Sequence, residues 1–227
     1  MDKTLKWKFD EDDDDELDSK GIKTLIDTER NNKARQGIII INQEFTPTLM
    51  EWVLYSLKGA EHNRLIDEIE IYINSNGGEV TALLPMIDLI DAMKKPVKTI
   101  VLGKAYSCGA LLLLCGHKGK RAAYKNSEIL FHEVAGGIIA KASQMVHEVE
   151  RIKRFNDLAV KFIRERTRMS EAQISKFMES NRDIFITAQE ALEYGIIDEI
   201  IGQEKPAEKL TIKNKPVCKK SCCAAVE

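Results

Sequence analysis

The chain predicts an α/β fold with a mainly parallel sheet. Short β-branched runs alternate with amphipathic stretches at helical spacing, and Gly- or Pro-containing turns separate them. The length of 227 residues, 44% hydrophobic and 31% charged, suits one domain with a real core flanked by tails. The expected boundaries are an acidic, mobile segment over 1–36, a folded domain over 37–203 and a flexible, cysteine-containing tail over 204–227.

The acidic run Glu11 to Glu16 lies in a polar stretch that ends near Gln36 and reads as a solvated tail. Order is expected from Ile38 to Ile41, four β-branched residues that read as a buried strand. Thr46 and Pro47 then suit the N-cap and first position of a helix whose stripe is Leu49, Val53, Leu54 and Leu57. From Glu68 to Asn74 strict alternation puts Ile69, Ile71 and Ile73 on one face of a strand. Asn74 to Gly78 is a turn, and Val80, Leu83, Leu84, Ile87 and Ile90 mark the next helix. Pro85 predicts a late start or a kink there.

Pro96 closes that unit. Val97 to Leu102 reads as a third strand, Ser107 to Cys115 as a short apolar helix and Glu128 to His132 as a fourth strand. Beyond Gly136-Gly137 a long helix is expected over Lys141 to Thr167, with the stripe Met145, Val149, Ile152, Phe155, Ala159 and Phe162 and otherwise charged faces. Ser170 with Gln173, and Thr187 with Glu190, form capping boxes. Gly195 suits a helix C′ position, and Ile196 to Ile201 a final strand.

Composition removes several function classes. A formal net charge of −2 gives nucleic acid no reason to bind. Met1 to Asp10 hold no apolar core of a signal peptide, and the longest apolar run, Ala110 to Cys115, is too short to span a bilayer. Five cysteines without an export signal point to reduced thiols and a cytoplasmic protein. Cys218, Cys222 and Cys223 resemble half a metal site, but no histidine lies near them, so an oxidisable tail is the plainer reading. No metal and no cofactor is expected.

Two strand-to-helix turns aim backbone N–H groups at helix N-termini. Gly77-Gly78 can approach a ligand closely because it lacks side chains. Ser107, with Gly109 two residues on, opens a helix after a strand, as in a nucleophile elbow. Taken singly, each candidate has a plain alternative. Ser107 could be an N-cap, His132 a structural histidine at a strand end and Asp183 a turn residue before Ile184-Phe185-Ile186. His62, His117 and His147 read as surface residues.

The order and spacing of six segments carry more. They are Tyr72 to Ala82 (YINSNGGEVTA), Gly103 to Ala110 (GKAYSCGA), Gly116 to Arg121 (GHKGKR), Asn126 to His132 (NSEILFH), Arg182 to Phe185 (RDIF) and Ala188 to Asp198 (AQEALEYGIID). From about Ile69 to Ile201 the chain resembles the Clp protease proteolytic subunit family. The resemblance implies a crotonase-like fold of repeated ββα units with the long helix projecting as a handle. It places the family's nucleophile on Ser107, its general base on His132, its orienting carboxylate on Asp183 and its oxyanion-hole N–H groups on Gly78 and Cys108. It further implies two stacked seven-membered rings of identical subunits, unfolded polypeptide as substrate and an AAA+ ATPase unfoldase as partner. A processing peptidase of the same fold that works without an ATPase is the alternative.

Departures from the family pattern are Asn76 for proline, Cys108 for methionine, Tyr106 for a small residue, Glu133-Val134 for Gln-Pro and a dissimilar N-terminal region. Cys108 is itself a rival nucleophile. Neighbouring side chains at a tight turn point apart, so only one of the pair can meet His132, and the resemblance selects Ser107.

Overall fold

The computed structural model describes residues 19–134, 141–178 and 183–202. The acidic run Glu11 to Glu16, the Gly136-Gly137 turn, Asn181-Arg182 and the three tail cysteines lie outside the described residues. In chain order the elements are α1 (Ser19–Ala34), β1 (Ile38–Ile41), α2 (Pro47–His62), β2 (Ile69–Ser75), α3 (Val80–Ala92), β3 (Val97–Tyr106) and α4 (Cys108–Leu113). There follow β4 (Arg121–Tyr124), β5 (Glu128–Leu130), α5 (Ala142–Arg166), α6 (Glu171–Met178), β6 (Phe185–Thr187), α7 (Ala188–Glu193) and β7 (Glu199–Ile201).

Parallel strands run β1-β2-β3-β4-β7, each crossover carrying helix, as the alternating pattern predicts. β3 is longer than its apolar run because two strands share one of its edges. Thr99 to Val101 pair with β4, and Lys104 to Tyr106 pair with β5. β6 closes that second branch antiparallel to β5. The bend between the branches lies at Gly103 (φ +100°), whose N–H donates to the buried Ser127 Oγ at 3.3 Å. Ser127 in turn donates to the Val101 carbonyl at 3.0 Å.

The core lies between this sheet and α2, α3 and α4. Ile39, Ile41, Ile69, Ile71 and Ile73 are fully buried, each contributing roughly 1.5–3 kcal/mol of transfer free energy. β1 differs from expectation, since Ile40 on its outer face stays 37% exposed. Thr46 Oγ1 accepts the Leu49 N–H at 3.2 Å with Pro47 at the first helical position, so α2 starts as predicted. α3 begins at Val80 and runs through Pro85 without a late start. At the end of α7 the Gly195 N–H donates to Leu192 and the Ile196 N–H to Ala191, a Schellman motif with Gly195 at φ +68°. That motif engages Ile196, and β7 begins only at Glu199.

Three elements, α1, β4 and β6, arise where no periodicity announces them. α1 occupies the stretch read as polar and unstructured. It is anchored on α2, with the Arg30 guanidinium 3.7 Å from the Trp52 ring centroid and Trp52 Nε1 donating to Asn31 Oδ1 at 2.9 Å. β4 forms from Arg-Ala-Ala-Tyr because two neighbouring strands flank it, not because alanine favours strands.

The long helix α5 has two regimes. Ala159 and Ile163 pack into the core, whereas Met145, Val146 and Val149 are 40%, 58% and 51% exposed. Its 25 residues span about 37 Å at 1.5 Å per residue, so its first turns project beyond the domain. Among the described residues no helix is long and apolar enough to cross a membrane.

Candidate active site

β2, β3 and β5 are mutually parallel, and their carboxyl ends meet at one edge of the sheet, where ligands of α/β proteins bind. The β2 turn is pinned from behind. Ser75 Oγ donates to the Gln43 carbonyl and accepts the Gly77 N–H, at 2.6 and 3.1 Å. Phe45 donates its N–H to the Gly77 carbonyl at 2.8 Å, and its own carbonyl accepts the Glu79 N–H at 2.9 Å. These bonds bracket Gly78 and leave its peptide facing Cys108, whose thiol donates to the Gly78 carbonyl at 3.3 Å.

Only glycine fits at these two positions. A Cβ on Gly77 would stand 2.7 Å from Ser107 Cβ, and one on Gly78 2.5 Å from the Phe45 carbonyl oxygen. Both have positive φ, +102° and +143°.

Ser107 has φ +53° and ψ −118°, and it is the one non-glycine with positive φ among the described residues. Such strain in a bulkier residue persists only where its surroundings hold it. Here the Ser107 N–H donates to the Leu130 carbonyl at 2.9 Å and its carbonyl accepts the Leu111 N–H at 3.1 Å. Ser107 occupies the N-cap position of α4, yet its hydroxyl makes no capping bond. Cys108, the first helical residue, carries an N–H that its own helix cannot satisfy. Its thiol is buried at 1% residue exposure, and burial pushes it up to about 11, so it is protonated at neutral pH.

His132 and Asp183 are brought together by strand register. β5 and β6 pair Glu128 with Thr187, Ile129 with Ile186 and Leu130 with Phe185. Two residues further along the same register, His132 faces Asp183, and Nδ1 stands 3.8 Å from Oδ1. That is longer than a hydrogen bond. Both side chains are open, at 40% and 57% exposure. With Nδ1 toward Asp183, Nε2 is the nitrogen left for a nucleophile.

Asn156, which sequence reasoning missed, steadies the segment after His132. Its Oδ1 accepts the Val134 N–H at 2.7 Å, and its Nδ2 donates to Glu133 Oε1 at 3.3 Å. In the sequence it is one polar residue on a charged helix, so no pattern marked it. Asp198, another carboxylate late in the chain, is taken by Arg121, whose Nη2 and Nε donate to it at 2.7 and 3.0 Å. His117 is half-buried rather than a surface residue, its Nδ1 accepting the Val97 N–H at 3.2 Å. Beside the site, Val80, Leu84, Leu111, Val134 and Phe155 line an apolar cleft between α3, α4 and α5.

The Clp protease family model matches residues 24–204. The chain belongs to the Clp protease family. The ATP-dependent Clp protease proteolytic subunit 2 of Bacillus licheniformis is 40% identical over 169 residues, which cover 74% of this chain and 87% of that protein. Membership of the Clp family makes the chain a serine peptidase with a crotonase-like fold, as the six segments led us to expect. The match begins inside α1 and ends just beyond β7.

Proposed function

We propose that the chain is the proteolytic subunit of an ATP-dependent protease, with Ser107, His132 and Asp183 as its catalytic triad. The observation that supports the triad is that the strained Ser107 turn bonds to Leu130, two residues before His132, which stands 3.8 Å from Asp183. His132 Nε2 takes the Ser107 Oγ proton as the hydroxyl attacks a peptide carbonyl, and Asp183 holds the imidazole tautomer and stabilises the cation that forms. The Gly78 and Cys108 N–H groups stabilise the tetrahedral oxyanion. His132 then protonates the leaving amine, and water hydrolyses the acyl-enzyme. The apolar cleft lined by Val80, Leu111 and Val134 supports a preference for an apolar substrate side chain.

The assembly is a homo-oligomer of two stacked seven-membered rings in the cytoplasm, fed with unfolded polypeptide by an AAA+ ATPase. The exposed Met145, Val146 and Val149 on the projecting part of α5 support contact with a second subunit. The Bacillus licheniformis relative, named as part of an ATP-dependent protease, supports the ATPase over a stand-alone processing role.

A fluorophosphonate probe should label Ser107. Ser107→Ala should abolish labelling and lower peptide hydrolysis by 10⁴-fold or more, on the order seen when a serine peptidase loses its nucleophile. Labelling that survives the substitution would place the nucleophile elsewhere.

A further inference from the structure

We propose that Tyr106 is a positioning residue that sets Asp183 against His132 through an aromatic clasp on Phe185, an inference that rests on the triad reading above. One row crosses the second branch of the sheet. Tyr106 on β3 pairs with Leu130 on β5, and Leu130 pairs with Phe185 on β6. All three side chains lie on one face, because strand neighbours in register share a face. The two aromatic rings meet over the shorter leucine, with centroids 5.4 Å apart at 65° in an edge-to-face contact, and leave Leu130 only 4% exposed.

The clasp sits where it can govern the triad. Tyr106 immediately precedes Ser107, Leu130 lies two residues before His132, and Phe185 two residues after Asp183. β6 is three residues long and borders only β5, so little else in the described sheet holds the arm that carries Asp183. The Tyr106 ring is itself held, since its hydroxyl donates to Glu128 Oε2 at 2.9 Å. Burial and that bond push the phenol up to about 12, so it remains a donor through neutral pH. Tyr106 touches neither Asp183 nor His132 among the contacts described, and it acts through Phe185. With a small residue at 106, the register of β6 on β5 would keep Phe185 in the row but leave its ring without an aromatic neighbour. The arm would then sample positions in which the 3.8 Å His132–Asp183 approach widens.

The test uses the assembled full chain and an activated ester that can be followed even in slow variants. Tyr106→Ala should lower kcat about ten-fold with KM little changed, because the carboxylate acts in the transition state. Tyr106→Phe keeps the ring and should stay within about three-fold of the parent. In an Asp183→Asn background, Tyr106→Ala should change the rate by less than about two-fold, because the group it positions is already disabled. Phe185→Leu, at a 49% exposed site, should reproduce both results. A further ten-fold loss from Tyr106→Ala in the Asp183→Asn background would overturn the proposal, since Tyr106 would then act on Ser107 or on folding. Equal losses from Tyr106→Phe and Tyr106→Ala would overturn the aromatic clasp. If Asp183→Asn alone leaves activity intact, the triad reading fails first, and this proposal falls with it.

Discussion

The two ends of the proposed triad, Ser107 and Asp183, stand in regions built to different standards. The Ser107 turn is held by backbone bonds to Leu130 and Leu111 and backed by Gly77 at van der Waals distance. Asp183 lies just before a three-residue edge strand, 57% exposed, and at 3.8 Å from its partner. If the triad proposed above holds, its nucleophile is fixed by the fold of the chain, whereas the alignment of its base is soft. In such a site the cheapest way to raise or lower activity is to move the carboxylate arm, not the nucleophile.

The sharpest way to probe the soft side is Asp183→Asn. The amide keeps the shape of the arm but favours the wrong imidazole tautomer, and kcat should fall by roughly three to four orders of magnitude with KM nearly unchanged. Steady-state kinetics on a small peptide decide it, and near-full activity would make Asp183 a turn residue. On the rigid side, Gly77→Ala should act more weakly but on two measurements. Its Cβ would meet Ser107 Cβ at 2.7 Å from a backbone at φ +102°. We expect stability to fall by about 2 kcal/mol and turnover by about 10²-fold, the scale of a 1 Å misplacement. Unchanged kinetics would show that the nucleophile turn is less tightly set than its contacts imply.

The same contrast separates what is legible in the amino-acid sequence from what is not. The rigid side is local in sequence. Alternating isoleucines in β2, the Gly77-Gly78 turn and the serine after β3 each carry their own signal, and each stands where the pattern placed it. The soft side is non-local. Asp183 faces His132 only because β5 and β6 pair with a register that no residue near Asp183 encodes. Asn156 reaches Val134 across 22 residues, and Ser127 reaches Val101 across 26. α1 was missed for a related reason. Ile22, Leu25 and Ile26 are too few among charges to show a stripe, and the helix is tied down by Trp52, twenty-one residues beyond Asn31. β4 was missed because alanine carries no strand preference of its own and its neighbours impose the conformation.

A smaller effect is expected beneath the site, where Arg121 and Asp198 tie β4 to the turn before β7. Burial alone would push the Asp198 carboxyl up, but the Arg121 hydrogen bonds outweigh it and hold the group below its ordinary value. A carboxyl with a depressed folded pKa contributes stability that is present above its unfolded value and lost as pH falls through the folded one. Asp198→Asn should therefore lower stability by about 2 kcal/mol at neutral pH, where the charged hydrogen bonds are intact. The gap to the parent should narrow once pH drops below about 4. Thermal melts at pH 7 and at pH 3.5 measure both, and a gap that widens in acid would mean that Arg121 is not the group holding Asp198.

The smallest expected effect separates the two residues at the head of α4. In the proposed site Cys108 supplies a backbone N–H, while its buried thiol donates to the Gly78 carbonyl and stays protonated through neutral pH. A thiol so placed is a poor nucleophile. Cys108→Ala preserves the backbone N–H and removes one buried sulfur, which should cost about 1 kcal/mol of stability as a small cavity. The oxyanion donors stay in place if Gly78 is held by Phe45 and Ser75 rather than by the thiol, as the hydrogen bonds at Gly77 and Glu79 indicate. Peptide turnover should then remain within about three-fold of the parent, and fluorophosphonate labelling of Ser107 should be undiminished. A large loss of turnover with labelling intact would mean that the thiol–Gly78 bond shapes the oxyanion hole after all. Loss of both would return the thiol to contention as the nucleophile, and the rigid turn around Ser107 would need another explanation.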